Sequence, residues 1–352
     1  MKLLIVKPSS LGDIIHAMPA VGLLMECLPD AEITWVANDN LASVVSLAAG
    51  IRVIRFPRKA LGKLSFGALR AFLKDLRQES YDAVLDFQGL LRSALISRFA
   101  HAKARYGFAN GREGSPHFYT KAVALPAEIR HAAEKNLFLA KSFLQDQGIT
   151  DFPLECAESK NITVPEAWME EAAALQKENG LLGKKLLAVG CSSRWNSKSW
   201  PVKYFADVLK IVAERRPDVG IWLLGGPDEA QRAESLKDEC DLENVVNLAG
   251  KTSMGALTAM LHESAGLFTN DSGPMHIAAL LGVPCVANFG STDPTLTGPY
   301  GPKGRHFIVA SDCPKAPCFC RECPRGDNAL CCSNTDRTMV AEEILKRLDA
   351  RD

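Results

Sequence analysis

Short apolar runs recur along this chain, and a helix-spaced segment follows almost every one. In the first half they are KLLIV (Lys2–Val6), EITWVAN (Glu32–Asn38), RVIRF (Arg52–Phe56) and AVLDFQ (Ala83–Gln88). In the second they are KLLAVGCSS (Lys185–Ser193), IWLLGG (Ile221–Gly226), NVVNLAG, GLFTND and VPCVANFG. A run that is apolar on both faces suits a strand buried within a parallel sheet. Strands alternating with helices demand right-handed crossovers. KLLAVGCSS restarts the pattern of KLLIVKPSS at mid-chain, so the expected architecture is α/β, with two Rossmann-like lobes whose parallel sheets face a central cleft. Helices are expected through PAVGLLMECL, with Pro19 in its first turn, and over Phe66–Arg77, His131–Gln147, Glu166–Lys177 and Val202–Arg216. The 352 residues fit a first lobe over 1–165, a second over 166–335, and a final helix over 336–352 that packs back on the first lobe.

Composition narrows the function. Lys+Arg and Asp+Glu are both 41, a balance that argues against a general nucleic-acid binder. No apolar run reaches the roughly 18 residues of a membrane span, and MKLLIVKPSSLGD lacks the build of a signal peptide. The expectation is a cytoplasmic protein.

Three segments follow strands, where open α/β sheets place their chemistry. The first is Ser9, Ser10, Leu11, Gly12 and Asp13. Gly12 permits close approach or an unusual backbone angle, and Asp13 is either a carboxylate aimed at a ligand or a cap for the next helix. The second, Asp271-Ser272-Gly273-Pro274, opens a helix whose free N–H groups suit a diphosphate. Ser272 offers a hydroxyl and His276 lies one turn on, and the competing reading is a capped helix with a core-edge histidine. The third is CSSRWNSKSWP, in which Ser192 and Ser193 can bond phosphate oxygens. Lys198 there is either a charge for a leaving diphosphate or an exposed loop lysine.

Together these stand as SLGD (Ser10–Asp13), KSWP (Lys198–Pro201) and NDSGPMH (Asn270–His276), and in this order they resemble the ADP-heptose:lipopolysaccharide heptosyltransferase family. YDAVLDFQGLLRSA (Tyr81–Ala94) and RYGF (Arg105–Phe108) look like the members that add the first inner-core heptose. The resemblance implies a GT-B fold and inversion at the anomeric carbon, with no metal or other cofactor. It implies an acceptor-binding first lobe and a second lobe for the ADP-heptose donor. Asp13 matches the family's catalytic base. Lys198, Ser192, Ser193, Asp271, Ser272, Gly273 and His276 match the donor site, and Glu229, or Asp228 beside it, is expected on the ribose. The acceptor implied is Kdo-bearing lipid A at the cytoplasmic face of the inner membrane. Ser10, Gly12, Arg55, Arg58, Lys59, Lys63 and Arg112, with Arg92, are candidates to meet it; a solvated positive face is the alternative for the basic residues.

Eleven cysteines are present. Cys27, Cys156, Cys191, Cys240 and Cys285 are scattered and read as small buried hydrophobes. CPKAPCFCRECPRGDNALCC departs from the usual first-heptose enzymes and looks more like other members of the family. A packed loop of reduced thiols is expected there. Cys313, Cys318, Cys320, Cys323 and Cys331, with Cys332, offer a zinc or iron–sulfur alternative. Two further readings stay open: the same fold acting on another nucleotide sugar or acceptor, and a non-catalytic nucleotide-sugar or metal-binding protein.

Overall fold

The computed structural model describes residues 1–58, 66–152, 161–325, 331 and 334–350. Lys59, Lys63, Cys156 and Cys332 lie outside the described residues. The chain divides into two compact units, Met1–Thr163 and Val164–Asp352.

In the first unit β1 (Lys2–Val6), β2 (Glu32–Asn38), β3 (Arg52–Phe56), β4 (Ser80–Asp86), β5 (His101–Phe108) and β6 (Lys121–Val123) form one sheet in the order β3-β2-β1-β4-β5-β6. Every pairing is parallel. β1 and β4 are buried along almost their whole length because helices cover both faces. Leu4, Val6, Val36, Ile54, Phe56, Phe72 and Val84 pack one side of the sheet.

The second unit repeats the order. β7 (Lys185–Gly190), β8 (Val219–Leu223), β9 (Val245–Asn247), β10 (Gly266–Asn270), β11 (Cys285–Phe289) and β12 (Phe307–Ala310) run β12-β11-β10-β7-β8-β9, all parallel. In each sheet the strand order reverses beside the first strand, between β1 and β4 and between β7 and β10. These are the topological switch points, where loops diverge and leave room for a ligand.

One expectation is corrected. The first helix runs Leu11–Cys27, so Pro19 sits in its interior and not in its first turn. Proline forfeits one helical hydrogen bond there, but the helix already starts at Ser10, where side-chain bonds hold the first turn. The last helix, Arg337–Asp349, packs its apolar face in the core of the second unit. Val340, Ala341, Ile344 and Leu348 belong to the same core as Phe205, Leu209 and Phe268. Arg216 pairs with Asp349 at 2.5 Å beside it. Among the described residues no helix is long and apolar enough to cross a membrane.

Phe268, on β10, is fully buried and lies 4.5 Å from Phe205 and 6.0 Å from Trp200, centroid to centroid. Removing it leaves a cavity under the loop that carries Lys198. Phe268→Ala should cost about 3–5 kcal/mol, checked by urea unfolding. His306 supplies a pH lever. Its Nδ1 accepts the Cys285 N–H at 3.2 Å, which requires the neutral ring. Burial, with Arg305 and Arg347 nearby, lowers its pKa from 6.5 to about 4. Between those values the unfolded chain binds the proton and the folded chain does not, so stability should fall as pH drops through that window, by up to about 3 kcal/mol. Urea midpoints at pH 7 and pH 5 should converge in His306→Gln relative to the unsubstituted protein.

Candidate functional site

The first switch point holds Asp13. Ser10 caps the helix with extended backbone. Its N–H and Oγ–H both donate to Asp13 Oδ2, at 2.8 Å each. Asp13 is therefore in the first helical turn and not in a free loop, and Gly12 beside it has helical backbone with no positive φ. The capping reading of Asp13 accounts for one oxygen only. Oδ1 lies 3.8 Å from Lys7 Nζ, and the Asp13 side chain keeps 42% of its surface in solvent.

Lys7, unremarked in the sequence, is buried and donates to the Phe87 carbonyl at 2.7 Å. Phe87 N–H in turn donates to Val6 O, and Ser9 N–H reaches Gln88 Oε1. The loops after β1 and β4 are thus stitched across the switch point. Asp86 anchors the second of them. It is fully buried, and its Oδ1 accepts the N–H groups of Gln88 and Gly89. Its Oδ2 accepts the Tyr119 hydroxyl at 2.8 Å. Burial pushes this carboxyl above the usual range, opposed by those hydrogen bonds. Gly107 leaves space for Tyr119: a Cβ there would meet the phenol ring at 2.3 Å. The backbone of Arg112 joins the same corner through Gly89 O. Arg92 is exposed at the start of the helix that follows. Arg55 is exposed near the end of the edge strand β3, and Arg58 lies just beyond it.

The second switch point gathers the other motif residues. Lys198 Nζ lies 2.6 Å from Asp271 Oδ2, with Asp271 almost wholly buried. Thr292 Oγ1 donates to the same oxygen at 2.7 Å, a partner that no sequence signal singles out, although GSTD follows β11. Ser193 Oγ donates to Asp271 O. Asn270 fixes the loop from below, accepting Trp200 N–H and donating to Cys191 O. Lys198 also lies over the Trp195 ring at 4.6 Å. It is a semi-buried ammonium with defined partners, not a loose surface lysine.

The helix Gly273–Leu280 starts here with no side-chain cap. Ser272 Oγ is engaged with Thr269 Oγ1 at 3.2 Å, and Asp271 with Lys198. Its first N–H groups are left to other partners, and its dipole favours an anion. Ser272 is the N-cap by its extended backbone, but its side chain gives the helix no capping bond. His276 is buried one turn on, and Ser192 is buried with no nitrogen or oxygen partner for Oγ among the described residues. Glu229 sits in the turn after β8 and accepts Gly226 N–H at 2.7 Å. Partial burial raises its carboxyl, opposed by that bond. Asp228 next to it is exposed.

The cysteine-rich loop braces this site through its backbone. Ser197 Oγ–H donates to Cys320 O at 2.6 Å, Ser197 N–H to Arg321 O, and Phe319 N–H to Ser291 O. Among the described residues no group of three or more His, Cys, Asp or Glu side chains is placed to hold a metal ion. Cys313, Cys318, Cys320 and Cys331 are free thiols, and Cys331 packs into the core beside Gly290.

Two all-parallel six-stranded sheets in the same strand order make an α/β fold of the GT-B type. The chain belongs to glycosyltransferase family 9 (heptosyltransferase), whose defining pattern matches residues 69–328. Lipopolysaccharide heptosyltransferase 1 of Pseudomonas aeruginosa is 29% identical over 92% of this chain and 87% of its own length. The Escherichia coli K12 protein of the same name is 28% identical over 86% and 91%. Among solved structures, the E. coli heptosyltransferase WaaC with ADP superposes with a TM-score of 0.77 at 26% identity, covering 99% of this chain and 100% of that one.

Proposed function

We propose that this enzyme transfers L-glycero-D-manno-heptose from ADP-heptose to the Kdo-bearing inner core of lipid A, with inversion, at the cytoplasmic face of the inner membrane. One observation carries the reading. Asp13 holds one carboxylate oxygen in its own helix start and leaves the side chain partly open to solvent at a switch point. Such a group is oriented yet reachable, which is what a general base needs. It takes the acceptor hydroxyl's proton as that oxygen bonds to the anomeric carbon. The bonding pair of the departing sugar–oxygen bond stays on the diphosphate.

The charge that develops there needs cations and N–H dipoles already in place. Lys198, Ser192, Ser193 and the helix start at Ser272 and Gly273 supply them, with Asp271 and Thr292 orienting Lys198. Glu229 takes the ribose and His276 the sugar side of the diphosphate. Arg55, Arg58, Arg92 and Arg112 answer the acidic Kdo groups. The names of the relatives and the ADP in the solved heptosyltransferase support the donor assignment.

A panel of ADP-heptose, ADP-glucose, UDP-glucose and GDP-mannose, each with Kdo2-lipid A or lipid A lacking Kdo, tests it by mass spectrometry of the lipid. Heptose should appear only with ADP-heptose and the Kdo-bearing acceptor. Preferred transfer of another sugar, or equal transfer to lipid A without Kdo, would overturn the assignment.

A further inference from the structure

A lysine is an expensive residue to bury, and Lys7 is buried at the end of the central strand of the first sheet. Desolvation weakens its hold on the proton, and the charges of Asp13 and Asp86 oppose that loss. One of its N–H bonds is spent on Phe87 O at 2.7 Å, which aims the ammonium along the switch point. The nearest carboxylate oxygen is Asp13 Oδ1 at 3.8 Å, too long for a closed hydrogen bond. That oxygen is the one the helix cap does not use. Asp86 is saturated by two N–H groups and a phenol, so it acts on Lys7 by charge alone.

We propose that Lys7 is the positioning residue for Asp13. Its ammonium, pinned by Phe87 and backed by Asp86, holds the Asp13 carboxylate in the orientation that presents Oδ1 to the acceptor hydroxyl. Asp13 is tethered from both sides: Ser10 fixes Oδ2 and Lys7 steers Oδ1. When the acceptor arrives, its hydroxyl hydrogen meets an oxygen already turned toward it. The structure around Lys7 is built for this. Phe87 N–H bonds Val6 O and Ser9 N–H bonds Gln88, so the two loops cannot slide without moving both Lys7 and Asp13. A misplacement of about 1 Å at such a group costs on the order of 10²-fold in rate.

This inference rests on Asp13 as the base, and a double-mutant cycle separates the two claims. Initial rates with ADP-heptose and Kdo2-lipid A are compared for the unsubstituted enzyme, Lys7→Met, Asp13→Asn and the double variant, with ADP binding by calorimetry for each. Lys7→Met should lower kcat on the order of 10²-fold, leaving the ADP-heptose KM and the ADP Kd within about twofold. The double variant should be no slower than Asp13→Asn. Lys7→Gln, which keeps a donor for Phe87 O but no charge, should fall as Lys7→Met does, and Lys7→Arg should recover most of the rate. These two variants decide the matter even where Lys7→Met unfolds. Independent, multiplying losses in the cycle, or a Lys7→Gln enzyme at full rate, overturns the role of Lys7. A near-normal Asp13→Asn enzyme instead overturns the base assignment itself.

Discussion

Asp13→Asn is expected to lower kcat by roughly 10²- to 10⁴-fold while leaving ADP binding within about twofold. The substitution isolates chemistry from structure. The carboxamide oxygen it introduces can still accept the Ser10 N–H and Oγ–H now given to the carboxylate, so the helix start should hold. What is lost is the capacity to take a proton. Asp13→Ala removes the cap as well, and should add a stability loss of about 1 kcal/mol. Steady-state rates with calorimetric ADP titration read the first effect, and urea unfolding reads the second. A loss of ADP affinity in step with rate would move Asp13 out of the catalytic role.

The second large effect is expected at Lys198. Lys198→Met keeps most of the volume of the side chain and deletes its charge. Removing one preorganised stabiliser of a developing oxyanion typically costs 10²- to 10³-fold, and kcat/KM for ADP-heptose should fall by about that much. Stability should fall too. Asp271 is almost wholly buried, and its Oδ2 would keep Thr292 alone. Breaking a buried pair from one side costs about 3–5 kcal/mol. The double variant Lys198→Met/Asp271→Asn should recover much of that stability and none of the turnover. Thermal melts with and without ADP, alongside kinetics, distinguish the two effects. Recovered turnover in the double variant would mean that Lys198 matters only as the partner of Asp271.

Much of this is legible in the residues, for physical reasons that also mark where reading fails. Strands buried on both faces announce themselves: KLLIV and EITWVAN fall where expected, residue for residue, and so does the edge strand RVIRF, whose buried Ile54 and Phe56 still alternate with exposed Arg55. β5 escapes recognition because HAKARYGF is only half buried and carries Lys103 and Arg105 in its less buried half. β6 and β12 are three- and four-residue edge strands with little apolar pattern to show. Pro19 invites an N-terminal reading that starts the first helix too late, while the real start rests on a side-chain exchange between Ser10 and Asp13. The motif residues Asp13, Lys198 and Asp271 lie in segments that follow buried strands, and it is the resemblance of SLGD, KSWP and NDSGPMH to the family that singles them out. Lys7, Asp86 and Thr292 are not singled out. Lys7 looks like an ordinary flank to an apolar run, and Asp86 like a strand end. Their partners, Phe87, Tyr119 and Asp271, are brought to them only by the strand order.

The reaction proposed is a single displacement at the sugar's anomeric carbon, with Asp13 as general base. Nuclear magnetic resonance of the lipid product formed from ADP-heptose and Kdo2-lipid A tests it most directly. A one-bond C1–H1 coupling that reports the anomeric configuration opposite to that of the donor is predicted. A product with the donor's own configuration would contradict the proposal, since a single displacement inverts the anomeric carbon.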